Sequence, residues 1–310
     1  MKLFGGVAFA LLFGVVQLYP SACLGEKIPV VASIFPVADM VQSVGGEHVD
    51  VSFILPAGAS PHTFEPKPSL VKTITAARIF FMVGAGLEFW AEKFVKLAGP
   101  GLTTVVLSEG VALIHSAGHH HENNAGIPYG KPGGSDHESG IANPHIWLDP
   151  VTAKSMVAKI VLALSQIDRQ HEAFYQEQGR KYLVEIDRLD KRIKTTVETF
   201  KIRKFVAFHA SWDYFARSYG LESVGVIEAA PGRNPTPIQI KHIVNQIRRH
   251  RIRAVFAEPQ LNPRAAEVIA KEAGVSVLLL DPLGGPNLKD RSTYIDLMKY
   301  NLKVMQEAMQ

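Results

Sequence analysis

The chain has 310 residues, 33 basic against 29 acidic side chains and 47% hydrophobic residues, for a formal net charge of +4. This is the profile of an ordinary folded protein long enough for two cores, and without a Lys/Arg block or interleaved aromatics it excludes nucleic acid as a partner. The one cysteine, Cys23, excludes an internal disulfide and a thiolate metal site downstream.

The first 25 residues are expected to be an export signal: Lys2 is the charged start, Leu3 to Val16 the apolar stretch, and Ser21, Ala22 and Gly25 the small residues before cleavage. The stretch is too short to span a membrane, so the mature protein is expected in the periplasm. Lipid attachment at Cys23 is the lesser alternative, because Pro20 stands where a branched apolar residue is usual.

Short apolar, β-branched runs then alternate with helical patterns. The first half has strands predicted at 29–33, 51–55, 78–83 and 103–107, the second half at 204–208, 224–227, 254–257 and 275–280. Strands separated by helices predict an α/β protein. The expected fold is two lobes, 26–167 and 201–310, each a four-stranded mainly parallel sheet flanked by helices. Between them, at 168–200, Tyr182, Ile186, Leu189, Ile193 and Val197 recur at helical spacing without a proline, which predicts one long rigid linking helix. From about 115 to 142 the composition turns to Gly, His, Asn, Pro and Ser, an expected mobile loop in the first lobe.

Four polar residues stand at loop positions where the two lobes would face each other. His62 lies in the Pro- and Gly-rich loop after the second strand. His145 lies in Asn143-Pro-His-Ile-Trp-Leu-Asp-Pro150, where Asp149 is a predicted helix N-cap and Pro150 the first helical residue. His209 and Asp281 directly follow strands. Ligands of open α/β sheets bind beyond the carboxyl ends of strands, so two facing lobes would bring all four together. Three neutral imidazoles and one carboxylate are a nitrogen and oxygen donor set suited to tetrahedral Zn2+; Mn2+, the alternative, prefers more oxygen.

The loop 56–62, the segment 143–150, Phe208-His209, Phe256-Ala-Glu-Pro-Gln260 and Leu280-Asp-Pro-Leu283 together resemble the solute-binding proteins of zinc and manganese ABC transporters. The resemblance covers nearly all of the mature chain. It implies two α/β lobes joined by a long helix, metal ligands at His62, His145, His209 and Asp281, and delivery of the ion to a membrane permease by a monomer that is not an enzyme. Histidine at the third position, where manganese members tend to have glutamate, points to the zinc-uptake branch. Pro61 departs from zinc relatives with an acidic residue there, which leaves Asp281 as the preferred carboxylate and Glu258 as a supporting or substitute group.

The loop adds His115, His119, His120, His121 and His137, five of the twelve histidines, expected to collect metal weakly. Affinity for the ion is expected to fall as pH drops through the histidine range near 6.5. Val83-Gly84-Ala-Gly86 lacks the third small residue of a dinucleotide fingerprint, and Ser211 lacks a nucleophile elbow. The remaining enzyme alternative is a zinc hydrolase, with three histidines on the metal and Asp281 as general base.

Overall fold

In a computed structural model, residues 26–115, 142–229 and 232–310 are described. The expected signal, Cys23 and most of the histidine-rich loop lie outside them.

The first lobe holds β1 (Ile28–Ala32), β2 (Val49–Phe53), β3 (Ile79–Met82) and β4 (Thr103–Val106), with α1 (Phe35–Gly45), α2 (Pro68–Ala76) and α3 (Ala91–Ala98) between them. The second holds β5 (Lys204–Ala207), β6 (Glu222–Val226), β7 (Ala254–Ala257) and β8 (Ser276–Leu279), with α6 (Asp213–Tyr219), α7 (Pro237–His250) and α8 (Arg264–Ala273). Every pairing is parallel, in the orders β2-β1-β3-β4 and β6-β5-β7-β8. The two lobes therefore repeat one topology. In each sheet the chain reverses its direction of winding between the two central strands, and the gap beyond their carboxyl ends is where such folds bind ligands.

The inner strands are apolar because helices cover both faces. Phe80, Phe81, Val206, Val255 and Phe256 are almost fully buried.

Two antiparallel helices join the lobes. The first, α4 (Pro150–Ile167), starts as its sequence predicts: Asp149 Oδ1 accepts from Val151 N, and Pro150 opens the helix. The second, α5 (Glu172–Glu198), has 27 residues, beginning slightly later than the expected 168 because a 3-10 turn, Arg169–His171, precedes it. The stripe Tyr182, Ile186, Leu189, Ile193 and Val197 is buried. It packs into one apolar core that runs through both lobes and includes Val37 and Met40 on one side, Phe205 and Met305 on the other. The linking helix thus joins the lobes as expected and packs into a core shared by both, beside which each lobe keeps a smaller apolar cluster of its own. Gly179 permits close approach of α4 and α5: a Cβ there would collide with Val161 Cγ2.

The last helix, α9 (Tyr294–Met309), tightens the same junction. Tyr294 N donates to Asp39 Oδ2 on α1 at 2.8 Å, and the Tyr294 hydroxyl donates to Trp147 O at 2.8 Å. Among the described residues no helix is long and apolar enough to cross a membrane.

Candidate metal centre

His62, His145 and His209 meet at the lobe junction. His62 Nε2 and His209 Nε2 each lie 3.0 Å from His145 Nε2. Ligand nitrogens about 2.0–2.1 Å from a tetrahedral zinc ion are roughly 3.3 Å apart, close to the two separations from His145, and all three residues offer a nitrogen within 4.8 Å of the others. They line a small pocket of about 10 Å3 together with Pro61, Trp147 and Leu283. This is the volume of one small sphere and leaves no space for an organic molecule.

Each imidazole is delivered by local chain geometry. His209 follows β5 at the reversal point of the second sheet, and Glu258 follows β7 across the same gap. His145 precedes the 3-10 turn Ile146–Leu148. Asn143 Nδ2 donates across the lobes to Ala210 O at 2.6 Å and Asp213 Oδ2 at 3.1 Å, and this fixes its amide orientation. Asn143 Oδ1 then accepts from His145 N at 3.0 Å and faces His145 Nδ1 at 2.8 Å. The His145 proton therefore sits on Nδ1, and Nε2 presents its lone pair to the cavity.

Glu258 serves His209 similarly. Its Oε1 is 2.8 Å from His209 Nδ1, although the ring N–H points off the oxygen, so this is a close polar contact and not an aligned hydrogen bond. Ser211 Oγ donates to the same oxygen at 3.1 Å. Glu258 thereby contacts both His209 and Ser211 through one oxygen.

Burial keeps two of the rings neutral. Desolvation, with the neighbouring His209 second, pushes His62 down to about 4. The same causes, with His62 added, hold His145 well below the usual histidine range. The expected loss of affinity near pH 6.5 therefore moves downward, because the folded site resists the protons that would compete with the ion.

Asp281 does not join this group, which among the described residues comprises the three histidines. It follows Leu280 as predicted and is fully buried, but both its oxygens are engaged. Oδ1 accepts from Gln260 Nε2 at 2.8 Å and from Leu283 N and Gly284 N at 3.0 Å, while Oδ2 pairs with Arg291 at 2.8 Å. Gln260 stands on the cavity wall in front of it. Arg291 had no signal in the sequence: it lies ten residues downstream in an irregular loop and reaches Asp281 only through the tertiary fold.

The feet of the histidine-rich loop are tied beside the site. His115 and Ala142 form an antiparallel bridge, and Asn143 N donates to Ile114 O at 2.7 Å. Val83-Gly84-Ala-Gly86 is a tight turn with positive φ at Gly84, Ala85 and Gly86. It is held by Glu88, whose carboxylate accepts from Val83 N and Gly84 N.

The sequence model of the family described as ZnuA, zinc-uptake complex component A periplasmic, matches residues 30–308. The chain belongs to the ZnuA family. Among curated relatives, the high-affinity zinc uptake system protein ZnuA of Bacillus subtilis (strain 168) is 25% identical, over 92% of this chain and 88% of its own. The manganese ABC transporter substrate-binding lipoprotein PsaA of Streptococcus mitis is 26% identical over 98% of both. Zinc-binding protein AdcA of Streptococcus pyogenes serotype M3 is 27% identical over 90% of this chain, which spans only 55% of that longer protein. A crystal structure of ZnuA superposes with a TM-score of 0.79 at 26% identity, covering 92% of this chain and 100% of the other. The two-lobed parallel architecture is thus that of ZnuA-type proteins.

Proposed function

We propose that this protein is an extracytoplasmic carrier that captures one Zn2+ and hands it, as a monomer, to an ABC-transporter permease. The Nε2 atoms of His62, His145 and His209 hold the cargo, with Asp281 as a carboxylate in reserve behind Gln260. The observation that carries this reading is the convergence of three imidazole nitrogens within 4.8 Å of one another, a donor set suited to a tetrahedral ion. Kinship to ZnuA and AdcA, named for zinc, favours that metal over the manganese of PsaA.

The reading is a carrier and not a catalyst because the nearby carboxylates are committed. Glu258 contacts His209 and Ser211, Asp281 is paired with Arg291, and the cavity has space for an ion alone. A metal-bound water would have no free base beside it.

The test is competition titration of chelator-stripped mature protein. His145→Ala is expected to weaken Zn2+ binding by at least about a hundredfold; wild-type affinity in that variant would sink the site.

A further inference from the structure

Two buried carboxylates stand at the junction: Glu258 lines the cavity against His209 and Ser211, and Asp281 lies behind Gln260 as the more heavily tethered of the two. Its backbone is gripped from both sides by Asn301 on α9: Asp281 N donates to Asn301 Oδ1 at 2.8 Å, and Asn301 Nδ2 donates to Asp281 O at 2.7 Å. Three neutral donors hold Oδ1, and the Arg291 guanidinium holds Oδ2. Arg291 is itself fixed. Its guanidinium lies 4.7 Å from the centre of the Tyr300 ring, and its carbonyl accepts from Gly285 N at 3.1 Å, which closes the 281–291 loop on itself.

We infer that Arg291 determines which cation the site takes, by competing with the cation for Asp281. This rests on the three-histidine reading above. With Asp281 paired to the Arg291 guanidinium, the open donor set is three imidazole nitrogens, which suits Zn2+ and serves Mn2+ poorly. A cation that needs the anionic oxygen must first break a charge-assisted contact whose loss leaves a mostly buried guanidinium without its partner. Zn2+ binds without breaking it. Gln260 reinforces the pairing from the cavity wall, where its Nε2 donates to Asp281 and its buried Oε1 has no hydrogen-bond partner among the described residues.

The experiment compares Zn2+ and Mn2+ affinities of stripped wild-type protein, Arg291→Met and the double variant Arg291→Met/Asp281→Asn. In Arg291→Met the freed carboxylate is expected to raise Mn2+ affinity at least about tenfold and Zn2+ affinity less, narrowing the preference; the double variant is expected to lose that gain. Unchanged Mn2+ affinity in a folded Arg291→Met protein overturns the inference while leaving the histidine site standing. Loss of the histidine site itself is read separately, from His145→Ala. Should Arg291→Met fail to fold, Co2+-loaded wild-type protein and Asp281→Asn are compared by visible absorption. Superimposable bands are expected, and bands that shift show Asp281 already on the metal and overturn the proposal.

Discussion

Each histidine of the cluster is oriented by what stands behind it. Asn143 sets which nitrogen of His145 faces the cavity, and Glu258 packs its carboxylate against Nδ1 of His209, on the side of the ring away from His145. The same burial that excludes water lowers the His62 and His145 pKa values, with two consequences of known sign. At His62 and His145 protons compete with the ion only below the ordinary histidine range, so Zn2+ release on acidification, followed by a zinc indicator, is expected to be centred below pH 6.5; release centred at 6.5 or above would contradict the buried geometry. Stability of the metal-free protein moves the same way. Unfolded histidine takes up protons near 6.5 while folded His62 waits until about 4, so stability is full above 6.5 and falls as pH drops between these values, by on the order of 3 kcal/mol for His62 alone.

At the scale of elements, the α4–α5 pair decides how the lobes are joined. Contact at Gly179 is so close that any side chain must displace Val161. Gly179→Leu is expected to destabilise by about 1–3 kcal/mol, the usual penalty for overpacking, read as a lower denaturant midpoint in urea. Gly179→Ala is expected to cost less, because its single methyl demands a smaller shift. An unchanged midpoint in Gly179→Leu would mean that the helices separate freely, against the single core that they share. The stripe on α5 was legible by periodicity, yet its meaning was not. Buried apolar spacing looks identical whether a helix bridges two cores or threads one, and only contacts with α1 and α9 distinguish these.

For the whole molecule, the lobes are stitched across the site itself. Tyr214 of the second lobe accepts from Ile114 N at 3.0 Å and donates to Asn143 O at 2.7 Å; Trp147 Nε1 donates to Pro282 O at 2.7 Å. Opening by wide hinge rotation would break these buried bonds together, each costing roughly 1–3 kcal/mol once its partner is left unsatisfied. Capture and release are therefore expected to proceed by movement of the loop carrying His62, the least buried of the three histidines. Small-angle scattering of metal-free and zinc-loaded protein should give radii of gyration that agree within about 0.5 Å, where wide hinge closure of two lobes produces a larger change. A larger decrease on loading would show the wide closure that these bonds oppose.

Much of this was written along the chain. Parallel-sheet strands are apolar runs and amphipathic helices are periodic, so the eight strands, the linking helix and the Asp149 cap were readable from local pattern. His62 and His209 were readable as loop residues at the carboxyl side of sheets, because that edge is where α/β folds bind ligands, and His145 as a residue of the rigid turn that opens a helix. What the sequence could not state was how far each reaches. Asp281 has the same strand-end signature as His209, yet Gln260, two backbone amides and Arg291 hold its oxygens. Hydrogen bonds made between residues distant in sequence leave no periodic trace, so whether that carboxylate faces the cavity or a guanidinium was decided by tertiary structure alone.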